Sequence, residues 1–257
     1  MLLLLPTLYL FVIGSIIGSF TNVLIDRIPR GMSIVLSRSY CPHCRKKLSP
    51  IELIPIFSYL MLKGKCGSCK KKIPARLLLI EVLIAVLYGL LYLMVFAQAI
   101  NISQFAYLLV VLPLFISVIF TDLEYGIIPD QILLFILVAS LSYFLLFARG
   151  EFMWNLLSAF IVFIFFAFLF FVTSGRGIGF GDVKLSFMLG LFLGPVNVIV
   201  SLYLAFLTGA FVSIILVVFK KRSFRGGTIP FGPFLIVSSV VAYFWGDALI
   251  KIFLRLY

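Results

Sequence analysis

Residues 152–173 read FMWNLLSAFIVFIFFAFLFFVT, a run of 22 residues without an acidic or basic side chain. As an α-helix that rises about 1.5 Å per residue, such a run can cross a hydrocarbon core of about 30 Å. The composition of the whole chain agrees, with 63% hydrophobic residues, 12% charged residues and a mean hydropathy of +1.24. A soluble fold of 257 residues cannot bury that much apolar surface, so the sequence predicts a membrane protein.

Seven further apolar segments lie on either side of this run, and the eight together predict an all-α polytopic membrane protein with about eight transmembrane helices. The shortest, residues 183–193, would reach only about 17 Å before it meets Gly194-Pro195. The glycine-rich connection before it is therefore expected to dip below the membrane surface, where protein or a water-filled cavity must satisfy its backbone. The eight segments are residues 2–25, 77–99, 105–120, 128–147, 152–173, 183–193, 196–219 and 229–254.

The net charge of +12 is unevenly distributed along the chain. Twelve Lys or Arg residues lie within residues 27–76, Arg176 and Lys184 border the glycine-rich connection, and KKRSFRGG at residues 220–227 adds four. With eight spans these regions share one face of the membrane, and the positive-inside rule makes that face cytosolic and places both termini outside. The first segment has no basic residue before it and is interpreted as a retained span. The charge therefore indicates topology and contact with membrane lipid, and no nucleic-acid partner is expected.

Residues 26–75 form a polar insert that contains all four cysteines of the chain. The cysteines form two pairs, CPHC (Cys41 and Cys44) and CGSC (Cys66 and Cys69), with a spacing close to that of zinc ribbons. Four thiolates complete a tetrahedral shell without an open position for water, so the predicted zinc is structural. Two disulfides or a redox pair are the alternatives, and the reducing cytosol disfavours them. The only histidine, His43, is expected to be a bystander.

Two of the nine acidic residues stand where the chain is expected to return to the same membrane face. Asp122 lies in TDLEYGIIPD (residues 121–130), and Asp182 ends GFGD. Two carboxyl groups that meet share one proton, and such a pair can take a proton from water and give one to a carbonyl oxygen. Capping of the following helix is the structural alternative for Asp182. The glycines before it alternate at every second position, unlike the G-x-G-x-x-G of nucleotide-binding loops, so a phosphate loop is not expected.

These motifs together resemble those of the type IV prepilin peptidases of bacteria, which are bifunctional leader peptidases and N-methyltransferases. The resemblance runs through nearly the whole chain, in the order GSFTNVLIDRIPRG, the two cysteine pairs around ELIPIFSYLMLKGKC, TDLEYGIIPD and GFGDVKLS. It implies a GxGD-type aspartic protease of the inner membrane, with Asp122 and Asp182 as the catalytic pair facing the cytosol. Asp130 matches no catalytic position of the family and is expected to be structural. The implied substrates are prepilins or pseudopilins, cleaved where a short basic leader meets a hydrophobic helix.

The resemblance also implies that the new N-terminus is methylated from S-adenosylmethionine. Packing or ion-pair roles are equally open for the two glutamates in family-like positions, in one case through a salt bridge between Glu81 and Arg76. The chain has no glycine-rich Rossmann fingerprint, so an uncommon methyltransferase fold is expected. The residues that stand in family-like positions for this half of the function are Asn22, Arg27, Glu52, Arg76 and Glu81.

The predicted domains are a first transmembrane helix (1–25), a cytosolic zinc-binding insert associated with methyl transfer (26–75) and a membrane-embedded peptidase (76–257). Three other hypotheses stay open. A peptidase without methylation would keep both aspartates, whereas a zinc-bearing scaffold would need neither. A proton-coupled transporter would use buried carboxylates as relays, but the chain shows no repeated halves and the hypothesis gives the insert no role.

Overall fold

The computed structural model describes residues 4–35, 38–218 and 230–255. The described chain is helical, without a β-strand beyond two isolated bridges, and seven of its helices are long and apolar enough to cross a membrane. These features confirm the predicted all-α polytopic membrane fold. The α-helices are α1 (Leu4–Arg27), α2 (Phe57–Met61), α3 (Ala75–Phe96), α4 (Ile102–Tyr125), α5 (Asp130–Phe147), α6 (Arg149–Val172), α7 (Phe180–Val218) and α8 (Gly232–Arg255).

The predicted segments 183–193 and 196–219 correspond, as far as Val218, to two helices that meet at a kink within α7, so the seven long helical elements of the described chain contain the eight predicted apolar segments. The interruption expected at Gly194-Pro195 is present, since Gly194 leaves helical geometry with φ 72° and ψ −178°. Helix α7 begins at Phe180, three residues before the predicted start. The basic stretch KKRSFRGG at 220–227 lies outside the described residues.

A side chain from α6 supports the interruption in α7. Because Pro195 has no N–H, the carbonyl of Leu191 lacks the donor that a regular helix would supply four residues later. The buried Asn155 donates from Nδ2 to that carbonyl over 2.9 Å. A Cβ atom at Gly194 would lie only 2.7 Å from Asn155 Oδ1. Glycine therefore fits this position both by its backbone conformation and by the space available.

The chain forms two compact units, Met1–Ser117 and Val118–Tyr257. In the first unit, α1 and α3 approach so closely that a Cβ atom at Gly18 would lie 2.6 Å from the Cα atom of Glu81. One turn earlier, a Cβ atom at Gly14 would lie 2.7 Å from the Cα atom of Ala85. Small residues at such positions let the backbones of membrane helices meet. The predicted insert thus connects, along the chain, two helices that pack directly against each other.

In the second unit, α7 packs against both α6 and α8. The contact with α6 is again backbone to backbone, because a Cβ atom at Gly190 would lie 2.6 Å from the Cα atom of Ala159. Phe166 of α6 is fully buried and stacks on Phe206 of α7 and on Phe231 just before α8. This packing fixes the start of α8 relative to α6, and a ring contact between Phe170 and Phe180 fixes the start of α7. Both starts contribute to the site.

Candidate active site, metal centre and ligand cavity

Asp122 lies in the last turn of α4, and the sequence that follows it ends the helix. Gly126 has φ +67°, a left-handed conformation that glycine adopts readily, and its N–H donates to the carbonyl of Asp122 over 2.9 Å. Pro129 then has an extended backbone, and α5 begins at the next residue, Asp130. The motif TDLEYGIIPD is therefore a helix end, a short extended link and a helix start, with Asp122 buried at the end of α4.

Asp182 lies in the first turn of α7 and is also buried. Its Oδ2 atom accepts a hydrogen bond from the N–H of Gly179 over 3.2 Å, which satisfies one of the free N–H groups at the helix start. The sequence placed Asp182 at the N-cap position, just before the helix. In the structure it is the third residue of α7, and its side chain caps the helix start from there. Its other oxygen, Oδ1, is buried and has no hydrogen-bond partner among the described residues.

The two aspartates belong to one local structure of the second unit. Asp122 Oδ2 accepts the N–H of Gly232, at the start of α8, over 3.1 Å. Ile128 of the first motif packs against both Gly181 and Gly232: a Cβ atom at Gly181 would be 3.1 Å from its Cβ, and one at Gly232 would be 3.3 Å from its Cδ1. The structure therefore brings the helix ends of α4, α7 and α8 together around the two carboxyl groups.

Asp130 and Lys184 connect the same two motifs at the surface. Lys184 Nζ lies 2.6 Å from Asp130 Oδ1 and 5.1 Å from the centre of the Phe180 ring. The Asp130 side chain is 71% exposed and the Lys184 side chain 35%. An ion pair this accessible to water contributes little free energy, at most about 1 kcal/mol. The structural role expected for Asp130 agrees with this contact.

The two cysteine pairs are held in turns of the same design. Cys41 N–H donates to the carbonyl of Lys46, and Cys66 N–H donates to that of Lys71, both over 2.9 Å. The fifth residue of each turn, Arg45 or Lys70, has a left-handed backbone with φ 57° or 56°. Isolated bridges close the turns between Tyr40 and Lys47 and between Lys65 and Lys72. Each contact in the first turn thus recurs 25 residues later in the second.

The turns bring all four cysteines together. One sulfur atom from each lies within 4.8 Å of the others, and none of the four forms a disulfide. The Sγ atoms of Cys41 and Cys69 are 3.8 Å apart, which is close to the sulfur separation of about 3.8 Å in a tetrahedron with Zn–S bonds of about 2.3 Å. Backbone N–H groups of Cys69 and Ser68 lower the pKa of the Cys66 thiol to about 6. The donor set and its spacing fit the predicted zinc.

Glu52 joins the segment between the two cysteine turns to both of them. Its Oε2 atom accepts the N–H of Ser49 over 2.9 Å, and these bonds with Ser49 hold the pKa of the carboxyl below its usual value. Its Oε1 atom lies 3.3 Å from Lys46 Nζ and would be 2.7 Å from a Cβ atom at Gly67. The contacts of Glu52 are those of a structural ion pair and capping residue, the alternative that the sequence left open.

A cavity of about 380 Å³ lies in the first unit, between the ends of α1 and α3 and the insert. Its volume is within the range of small-molecule sites in proteins, roughly 300–1,000 Å³. The structure places all five residues predicted for cofactor binding in its wall, together with two of the four cysteines. These wall residues are Asn22, Arg27, Glu52, Arg76, Glu81, Cys41 and Cys66.

The polar groups of this cavity are held by neighbouring elements. Arg76 of α3 forms a 2.8 Å ion pair with Asp26 of α1. Arg27 is buried, and its Nη1 atom donates to the carbonyls of Ser33 and Ile34 over 3.1 and 3.2 Å. The end of α1 is therefore tied to α3 on one side and to the start of the insert on the other.

Glu81 connects α3 with the insert. Its Oε2 atom accepts the N–H of Ile56 over 2.7 Å. Ile56 has φ +63°, a conformation that is costly for a β-branched residue, and it immediately precedes α2. The bond to Glu81 thus stabilises a strained turn.

Sequence reasoning did not identify Gly232 or Ile56 as parts of these sites. The signal for Gly232 was the dipeptide Gly232-Pro233, because proline is favoured in the first turn of a helix, where backbone N–H groups have no partner within the helix. No local signal marks Ile56, since its conformation depends on a glutamate 25 residues away.

Two family sequence models match this chain. Residues 12–95 match the bacterial peptidase A24 N-terminal domain, and residues 109–214 match the type IV leader peptidase family. The first match contains the cavity residues and all four cysteines, and the second contains both aspartates. No solved structure matches the chain.

Several curated relatives carry the name prepilin leader peptidase/N-methyltransferase. The relative from Bacillus subtilis (strain 168) is 34% identical over 250 residues, which cover 96% of this chain and 97% of the relative. The relative from Aeromonas hydrophila is 32% identical and covers 97% and 95% of the two chains. The relative from Pseudomonas aeruginosa is 31% identical and covers 95% and 91%. With this identity over nearly its whole length, the chain belongs to the type IV leader peptidase family.

Proposed function

We propose that this chain removes the leader of type IV prepilins or pseudopilins with Asp122 and Asp182, and then methylates the new N-terminus. The observation that carries the proposal is that Ile128 links two helix ends that each hold a buried aspartate, one of them with an unpaired buried oxygen. The names of the relatives favour this function over the proton-coupled transporter and over a peptidase without methylation. The seven apolar helices and the bacterial relatives fit a multi-pass protein of the inner membrane.

The proposed cleavage needs one carboxyl group protonated and the other ionised. The ionised carboxylate takes a proton from water while the water oxygen attacks the peptide carbonyl carbon. The protonated carboxyl group gives its proton to the carbonyl oxygen, which yields a tetrahedral diol. The C–N bond of this intermediate then breaks, the carboxyl group that took the proton from water gives it to the leaving nitrogen, and the other carboxylate regains a proton from a diol hydroxyl as the new carboxyl group forms. The unpaired Oδ1 of Asp182 is available for contact with this water, and the N–H of Gly232 orients Asp122. Both active groups would face the cytosol, as the positive-inside rule predicts.

For the methylation step, we propose that the cavity of the first unit binds S-adenosylmethionine, which supplies an electrophilic methyl group. This ligand has a carboxylate, an ammonium and a sulfonium centre, and the cavity wall offers both signs of charge. Arg27 is placed to hold the carboxylate, because its guanidinium is fixed by two main-chain carbonyls and lines the cavity. The cysteines would hold zinc as a structural metal that fixes the wall.

Substitution of each aspartate by asparagine tests the peptidase half. Asp122→Asn and Asp182→Asn should each abolish leader removal, measured by the mass of a purified prepilin after incubation, while thermal unfolding in detergent stays close to that of the parent. Asp130→Asn is the matched control, because Asp130 belongs to the same motif and is exposed. Normal cleavage by either catalytic variant would refute the dyad.

Metal analysis tests the zinc. Purified protein should contain close to one zinc per chain, and the double variant Cys41→Ser, Cys44→Ser should lose it. The variant should also lose methylation while it retains leader removal, because Cys41 and Cys66 line the cavity of the first unit whereas both aspartates belong to the second. An unchanged zinc content in the variant would refute the site.

A further inference from the structure

The side chain of Asn22 has one orientation imposed by its neighbours. Its amide nitrogen Nδ2 lies 3.3 Å from the carbonyl of Gly18 and 3.0 Å from the carbonyl of Leu77. Carbonyl oxygens only accept hydrogen bonds, so the group that faces them must be the amide NH₂. The oxygen Oδ1 is thereby directed away from these two carbonyls.

That oxygen lacks a partner. Asn22 is 4% exposed and lines the cavity, and its Oδ1 atom is buried without a hydrogen bond among the described residues. A buried acceptor without a donor costs free energy, and such groups in proteins are usually satisfied by water or by a ligand. The cavity therefore presents a fixed, uncharged acceptor that calls for an N–H or O–H group.

We propose that Asn22 Oδ1 accepts a hydrogen bond from the N-terminal amine of the cleaved substrate and orients that amine for methylation. This inference rests on the proposed function. Around Asn22 the cavity wall comes from the helices α1 and α3, with Ser19, Leu77 and Glu81, whereas the cysteine turns form another part. The amine is attached to a hydrophobic helix that stays in the membrane, so it reaches the cavity among the residues of the membrane helices.

The neutral amide suits an amine that must react. A carboxylate beside the amine would favour the ammonium form, which has no lone pair for attack. The carboxylate of Glu81, in the same part of the wall, is already engaged by the N–H of Ile56 and by Ser19. Asn22 accepts one N–H of the neutral amine and leaves the lone pair directed elsewhere.

The step balances with the substrates that the proposed function supplies. The ammonium of the new N-terminus first gives a proton to water. The nitrogen lone pair then forms a bond to the methyl carbon as the carbon–sulfur bond breaks, and the electron pair of that bond stays on sulfur as a neutral thioether. The resulting secondary ammonium releases a second proton to water.

The test uses full-length protein in detergent with a pre-cleaved pilin substrate and the variant Asn22→Ser. A serine hydroxyl at this position can donate to the Gly18 carbonyl one turn earlier, as Thr21 does to Ile17 in the same helix. It keeps this local bond, and because the side chain is shorter, its oxygen lies against the helix backbone and no acceptor remains at the position of Oδ1. Thr21→Val is the matched control, because Thr21 is buried in α1 but does not line the cavity.

The expected result is a loss confined to the methyl acceptor. In Asn22→Ser the single-turnover rate of methylation should fall by about tenfold to a hundredfold, as when one hydrogen bond to a reacting group is lost. The dissociation constant of S-adenosylmethionine and the rate of leader removal should stay within about twofold. An unchanged methylation rate would overturn the proposal, and so would an equal weakening of S-adenosylmethionine binding, which would assign Asn22 to that ligand.

A cycle with a desamino substrate separates contact from a structural effect. A cleaved peptide whose N-terminal amine is replaced by hydrogen should bind the parent chain more weakly than the normal peptide, and should bind Asn22→Ser no more weakly than the normal peptide does. The same loss in both proteins would refute the contact, even if Asn22→Ser is less stable. If the parent chain removes leaders but neither binds S-adenosylmethionine nor methylates, the methyl-transfer half of the proposed function fails first, and this inference fails with it.

Discussion

The contact between Gly232 and Asp122 leads to a sharp prediction for Gly232→Ala. A Cβ atom at this position would lie 2.6 Å from Asp122 Oδ2, whereas Cβ contacts in proteins essentially never fall below 3.0 Å. Either the carboxylate or the start of α8 must therefore move by at least about 0.4 Å. Ile128 blocks one direction of movement, because its Cδ1 atom lies 3.3 Å from the same Cβ position. Since a misplacement of about 1 Å can cost about a hundredfold in rate, we expect leader removal to slow by about tenfold to a hundredfold.

The assay is the initial rate of prepilin cleavage, followed by product mass, at saturating substrate. Gly150→Ala is the matched control, because a Cβ atom at Gly150 meets nothing within 4 Å. The control should cleave at the parent rate. Methylation of a pre-cleaved substrate should be unchanged in both variants, because the cavity lies in the first unit. A Gly232→Ala enzyme with the parent cleavage rate would show that the N–H of Gly232 does not position Asp122.

Three further predictions follow from contacts described above. Asn155→Leu should lower the free energy of unfolding by about 1–3 kcal/mol, because it leaves the carbonyl of Leu191 buried without a donor. Thermal unfolding in detergent measures this change, and Ser142→Ala on an exposed surface is the control. An unchanged stability of Asn155→Leu would contradict the role of Asn155. A double-mutant cycle of Asp130→Asn and Lys184→Met should give a coupling of at most about 1 kcal/mol in the free energy of unfolding, since the ion pair is accessible to water. A larger coupling would contradict this exposure and would mean that the membrane shields the ion pair from water. The bond with Ser49 lowers the pKa of Glu52, so the stabilisation by the ionised carboxylate is complete above the ordinary pKa of 4.5 and is lost only as the pH falls through the lower folded value. Glu52→Gln should therefore speed proteolysis of the insert by the same factor at about pH 8 and at about pH 5.5. If parent and variant were cleaved at the same rate at the lower pH only, the lowered pKa would be refuted.

Much of the architecture was accessible from the sequence because membrane helices carry their signal locally. A run such as residues 152–173 must be helical in lipid, where every backbone group needs an internal partner. The interruption at Gly194-Pro195 was equally readable, since proline lacks the N–H that the helix requires. Helix starts were less accurate. Helix α7 begins at Phe180 because its first turn, Phe180-Gly181-Asp182, is satisfied by a contact with Gly179 and not by apolar periodicity.

The candidate sites also include features that a local sequence signal predicts and features that it does not. The cysteine pairs were predictable because each pair is a self-contained turn whose spacing determines its geometry. The five residues of the cavity were found by resemblance, and no periodicity links residues as distant as Asn22 and Glu81. The sequence could not show that Glu52 is held by Ser49, or that Asn22 presents an unpaired oxygen. These contacts depend on which groups lie next to each other in the folded chain, and the sequence does not show this.

The repeated turns around the cysteines have a consequence for how the two proposed activities depend on growth conditions. The described part of the insert has only short elements, the five-residue helix α2, two 3-10 turns and two isolated bridges, so a bound ion would be its main source of stability. Both aspartates stand on helices of the other unit. Scarcity of zinc in the cell should therefore uncouple leader removal from methylation, so that pilins continue to lose their leaders but accumulate with unmethylated N-termini.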